Sequence, residues 1–117
     1  MLVSTAKIAR VVLKELLAKI FQKKADKPWR VPENVRVYCV GDIHGRDDLL
    51  ERIHHKIYLD SDGYMGDKVI IYLGDYIDRG SNSKAVIDIF LQKPLIGFKS
   101  VFLRGNHEQV LLDFMHK

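Results

Sequence analysis

Three short apolar runs, each stopping at a small block of glycine and charge, constrain this chain more than anything else in it. The runs are Val35 to Val40, Val69 to Leu73 and Val101 to Leu103, followed by GDIHG, GDYIDRG and RGNHE. Asp75 lies 33 residues after Asp42 and Asn106 lies 31 after Asp75, about the length of one strand, helix, strand unit. Leu49, Leu50, Ile53 and Ile57 recur at helical spacing between the first two runs, which predicts a helix over 47–57. Ser81 or Ser83 is expected to cap a second helix through Ala85, Val86, Ile89 and Phe90 to Leu91, ended by Pro94 and Gly97. A third helix is expected over 107–116, through Val110, Leu111 and Phe114. The fold class is therefore α/β: parallel strands joined by right-handed crossovers, helices covering the sheet, and ligands bound beyond the carboxyl ends of the strands. All three charged blocks fall at that edge.

At 117 residues, 47% apolar and 29% charged, the chain has room for one ordinary globular domain. Its formal charge of +4 is uneven, since residues 1–36 hold nine Lys or Arg against three acids and the remainder holds ten against twelve. The basic character belongs to an extension over 1–34, and the body over 35–117 carries the carboxylates. This pattern points to cations and not to nucleic acid.

The extension reads as a helix over 4–24, with Ile8, Val11, Val12, Leu16 and Ile20 at three- and four-residue spacing, and is taken to pack on this domain or on further sequence. Contact with an anionic membrane surface is the alternative. Charged residues interrupt every apolar stretch, so neither a membrane span nor an ordinary signal-peptide core is expected. Lys27 to Glu33, with two prolines, reads as a linker in which Trp29 anchors by packing. Cys39, the single cysteine, excludes a disulfide framework and is expected to pack inside its strand, in keeping with a reducing, cytoplasmic location. His54 and His55 are expected at the surface or partly buried, and Asp60 to Asp67 is a turn whose glycine and acid offsets do not fit a calcium loop.

The strand-end blocks supply the chemistry. Asp42, His44, Asp75 and Asn106 are two carboxylates, an imidazole and an amide carbonyl, a mixed donor set suited to borderline divalent metals. Asp75, from the middle block, is the natural bridge between two cations, and two cations about 3.5 to 4 Å apart can hold a hydroxide for in-line attack on phosphorus. Arg79 and Arg104 offer planar forks for phosphate oxygens. His107 is placed to protonate a leaving oxygen, with Asp78 to orient its ring. A glycine and aspartate turn, or an exposed ion pair, is a common structural feature by itself. Three such blocks at matched strand ends are not.

GDIHG, GDYIDRG and RGNHE together resemble the N-terminal signature blocks of the calcineurin-like metallophosphoesterases, specifically the phosphoprotein phosphatase branch and its compact bacterial serine/threonine members. The resemblance covers 35–117. It implies that Asp42 and His44 bind one metal, that Asp75 bridges, and that Asn106 binds the other metal. It further implies that Arg79 and Arg104 hold phosphate and that His107 and Asp78 form the acid pair. The ions implied are two divalent metals, manganese first, with iron or zinc as alternatives. The substrate implied is a phosphorylated protein or a small phosphoester. Dinucleoside polyphosphate (diadenosine tetraphosphate) hydrolases are close relatives and give the second enzymatic expectation. Family members continue into a second sheet with two further histidine ligands and another arginine, and nothing in this stretch matches those blocks. The chain is accordingly expected to be the N-terminal part of such a domain, weakly active or inactive alone, or else a non-catalytic module that binds phosphate or a partner.

Overall fold

The computed structural model describes residues 12–18 and 29–117. The chain divides into two compact units, Met1–Arg30 and Val31–Lys117. In the first, residues 12–18 form a helical stretch, α1, whose Val12, Leu13, Leu16 and Leu17 are all exposed. The rest of the helix expected over 4–24 lies outside the described residues. No described helix is long and apolar enough to cross a membrane. Trp29 is fully exposed, contrary to the expectation that it anchors by packing.

The second unit runs β1 (Val35–Val40), α2 (Asp47–Asp60), β2 (Asp67–Tyr72), α3 (Ser83–Gln92), β3 (Lys99–Phe102) and α4 (Asn106–Met115). The strands form one parallel sheet in the order β1-β2-β3, with Val40 opposite Tyr72 and Tyr72 opposite Phe102. This register brings all three carboxyl ends level, so the loops that follow them share one edge. The alternating side chains of the strands divide the sheet into two faces. Tyr38, Val40, Ile70 and Tyr72 pack with Leu50 and Ile57 of α2 and Val86 and Ile89 of α3. Successive right-handed crossovers in one direction place both helices on that face.

Cys39 points the other way and is exposed, which corrects the expectation that it packs. The reason is the pleat: in β1 it falls between Tyr38 and Val40, both on the helix-covered side. Neither serine caps α3 as expected. Asn82 is the cap residue, without a side-chain cap bond, and Ser83 Oγ instead accepts the Asp78 N–H at 3.0 Å. Serine is thus diverted to the site loop. The helix α2 runs three residues past Ile57 before the expected turn begins at Ser61. Arg36 donates to the Asp60 carbonyl at 3.0 Å, supplying from β1 the base that the last turn of α2 lacks.

His54 also departs from the expected burial pattern. It sits inside the core on α2 with Nε2 2.7 Å from the Tyr72 hydroxyl, whereas His55 is exposed. Burial disfavours the imidazolium and lowers the His54 pKa, the charge of Glu51 opposing this only in part. The unfolded chain therefore binds more protons than the folded one below the ordinary histidine range. Stability contributed by neutral His54 is present above about pH 6.5 and is lost as pH falls toward the lowered folded value. Urea midpoints measured between pH 7.5 and 5 should fall for the wild type, and His54→Leu should flatten that fall. Parallel curves for the two proteins would disprove it.

Candidate metal centre

The loops after β1 and β2 are joined at one residue. The Asp75 carbonyl accepts the N–H of Ile43 at 3.0 Å and of His44 at 2.9 Å, and the Tyr76 carbonyl accepts Gly45 N–H at 2.8 Å. The loop after β3 closes on the same residue from the other side, where His107 N–H donates to Asp75 Oδ1 at 3.1 Å. Tyr76 pegs this junction. Its buried hydroxyl donates to the Leu103 carbonyl at 2.5 Å with the Tyr72 carbonyl at 3.1 Å, and burial pushes its pKa up to about 12, so it stays a neutral donor. Two glycines let the backbones touch. A Cβ at Gly74, where φ is +107°, would strike the backbone of Gly105.

Holding side chains at such a point costs backbone strain. His44 (φ +44°), Asp75 (+55°), Asp78 (+68°) and Arg79 (+68°) are all left-handed, and Asn34 is the only other such non-glycine residue among those described. Each costs on the order of 1–3 kcal/mol and persists because the surrounding bonds over-determine it. Strain of that kind collects where side-chain aim matters.

Asp42, His44 and Asp75 each offer one ligand atom within 4.8 Å of the others. His44 Nδ1 lies 2.9 Å from the Ile77 carbonyl, an acceptor only, so the ring proton belongs there. This leaves Nε2 as the lone-pair nitrogen, 3.6 Å from Asp42 Oδ2. The outer hydrogen bond thus selects the tautomer that a metal requires. Asn106 opens α4 and presents one amide atom 3.0 Å from both carboxylate oxygens of Asp75; as nitrogen, with the amide turned over, it donates to both. As oxygen it joins the carboxylate in a set of three acceptors that only a cation would reconcile. Two carboxylates, one imidazole lone pair and one amide oxygen fit a borderline divalent ion.

Beside these donors, His107 Nδ1 is 2.8 Å from Asp78 Oδ2. The His107 ring meets His44 edge to face at 4.9 Å between centroids. The aspartate accepts from Nδ1 and so orients the imidazole, leaving Nε2 as the ring nitrogen available for proton transfer. Arg79 and Arg104 are exposed at the same edge. Arg104 Nη1 donates to Gln109 Oε1 at 2.8 Å, and neither guanidinium forms an ion pair among the described residues. The structure therefore joins six of the eight expected residues by direct contacts and leaves the two arginines at the rim.

Sequence reasoning gave no role to Tyr76 or Glu108, although both stand inside the quoted blocks. An aromatic after a strand reads as core and a glutamate in the first turn of a helix reads as a cap. Their functional signal is tertiary, since their partners lie 27 to 32 residues away.

A family model described as calcineurin-like phosphoesterase matches residues 35–117. A Caenorhabditis elegans protein provisionally named a serine/threonine-protein phosphatase is 42% identical over 82 residues, 68% of this chain and 17% of its own length. Serine/threonine-protein phosphatase rdgC of Drosophila melanogaster is 30% identical over 108 residues, covering 92% of this chain and 16% of the relative. Serine/threonine-protein phosphatase 1 of Salmonella typhimurium is 30% identical over 95 residues, 81% of this chain and 38% of the relative. The matches thus span from about a sixth to under two fifths of these relatives' length. No solved structure matches the chain.

Proposed function

The chain belongs to the calcineurin-like phosphoesterases, and from that premise we propose that it is the metal-holding part of a serine/threonine phosphoprotein phosphatase. The observation that carries this reading is the convergence of Asp42, His44 and Asp75 within 4.8 Å, next to the His107 and Asp78 pair. Asp42, His44, Asp75 and Asn106 would hold two divalent ions, manganese being the first choice. When bound, such ions supply Lewis acidity and a water-derived nucleophile at neutral pH. Arg79 and Arg104 bind the phosphate oxygens and set their orientation. His107 gives a proton to the leaving oxygen, and Asp78 keeps its ring aimed. The choice of phosphoserine or phosphothreonine is supported by the names of the relatives. Phosphate release by the full-length protein should require Mn²⁺ and should be faster from a phosphoserine peptide than from diadenosine tetraphosphate. Preference for the nucleotide would replace this substrate class with the dinucleotide one, and indifference to metal would reject the assignment.

A further inference from the structure

Glu108 occupies the third position of α4, where a glutamate ordinarily turns back to the N–H of its own helix cap. Here it does not. Both carboxylate oxygens face the N–H of Tyr76 instead, at 3.2 and 3.3 Å, across a separation of 32 residues. The cap residue is Gly105, and it makes no side-chain cap bond.

The Tyr76 N–H belongs to the same peptide unit as the Asp75 carbonyl. That carbonyl already accepts two N–H groups from the first site loop, Ile43 and His44. The Asp75–Tyr76 peptide plane is therefore gripped at both ends: donors of the first loop hold its oxygen, and a carboxylate of α4 holds its N–H. Polarisation runs the same way through both bonds, so each strengthens the other. The plane needs this grip because Asp75 is left-handed at φ +55°, a conformation that aspartate leaves readily when unsupported. A carboxylate on the peptide next to Asp75 would be costly without an offset, and the positive end of α4 supplies one.

We propose that Glu108 is a positioning residue: by fixing the Asp75–Tyr76 peptide plane it aims the Asp75 carboxylate at the metal centre without itself being a ligand. The clamp stands on the hydrogen-bond geometry, and its consequence for metal rests on the function proposed above. Two measurements separate them.

In the metal-free full chain, amide exchange at Tyr76 reads the clamp directly. Glu108→Ala should accelerate it by at least about tenfold while the core amides of Ile70 and Val86 keep their rates, and Glu108→Gln, whose amide oxygen still accepts, should stay near the wild type. In a titration with Mn²⁺ alone, Glu108→Ala should weaken binding by about 10–100-fold, as loss of an outer-shell partner does, and Glu108→Gln should recover most of that loss. Unchanged Tyr76 exchange in Glu108→Ala would overturn the clamp. Faster exchange with unchanged Mn²⁺ affinity, or equal losses in Ala and Gln, would overturn the positioning role. Wild-type protein that binds no Mn²⁺, with Asp75→Asn equally silent, would instead remove the metal reading itself and with it the consequence drawn for Glu108.

Discussion

Asp75→Asn is expected to lower Mn²⁺ affinity, and Mn²⁺-dependent phosphate release, by more than the roughly 10–100-fold that the loss of an outer-shell partner costs. The substitution is nearly isosteric. Its side-chain oxygen can still accept the His107 N–H that Asp75 Oδ1 accepts at 3.1 Å, and the backbone carbonyl that joins the first loop is untouched. What it removes is the charge and one acceptor oxygen at the centre of the donor set. The metal-free protein should respond in the opposite direction. The ligand atoms of Asp42 and Asp75 lie within 4.8 Å of one another, and two like charges about 4 Å apart repel by about 1 kcal/mol even in a water-like dielectric. Asp75→Asn should therefore unfold at a slightly higher temperature than the wild type without metal and gain far less from its addition. The wild type, by contrast, should gain about 2.7 kcal/mol when Mn²⁺ is present at a hundred times its dissociation constant. Equal metal-dependent gains in the two proteins would remove Asp75 from the centre of the site.

The opposite signs matter because they separate a ligand from a structural residue. A residue that only held the loops together would lose stability in both states. His54 is a structural residue of this kind: it is buried at the Tyr72 hydroxyl, and its titration is expected to bear on folding alone.

The sheet and the donor set were legible in the chain for one physical reason. A parallel strand that must stop at the same edge three times leaves an apolar run, a glycine and a charge at matched spacing, and that pattern survives without any knowledge of contacts. Asp42, His44 and Asp75 converge because the strands that precede two of the loops are in register, as Val40 opposite Tyr72 shows. Features set by the pleat and by cross-loop bonds were not legible. Cys39 sits in an apolar run and still faces outward, since a run does not say which face each member takes. His54 looks like any helical histidine until Tyr72 is placed beside it. Ser83 reads as a helix cap and in fact receives the Asp78 N–H. Glu108 reads the same way and reaches Tyr76. In the last two cases the local rule named a partner at the helix start, and a residue outside the helix took the bond.

Gly105→Ala tests how tightly the second and third loops are interlocked, and it should be among the most damaging single changes in the described chain. The backbone of Gly105 is ordinary, at φ −84°, so alanine brings no conformational penalty of the left-handed kind. It brings a collision. A Cβ there would lie 2.7 Å from Asp75 Cγ and would be closer still to Asp75 Oδ1 and to its backbone nitrogen. Neither side can yield easily, because Gly74 lies across the same contact with its own missing Cβ aimed at Gly105, and the Asp75 carbonyl is held by Ile43 and His44. Forcing a methyl group into such a contact costs about 1–3 kcal/mol when side chains can move, and here the obstacle includes the Asp75 backbone nitrogen as well as its carboxylate. The expected result is a loss at or above the top of that range in urea unfolding, with Mn²⁺ affinity falling alongside because the displaced group is the Asp75 carboxylate. Gly41→Ala is the matched control: it lies one residue from Asp42, yet a Cβ there meets nothing within 4 Å. It should be neutral or gain up to about 1 kcal/mol through the stiffer unfolded chain. If Gly105→Ala were as well tolerated as Gly41→Ala, the two loops would not be in contact as described, and the close approach that presents Asp75 to its neighbours would be wrong.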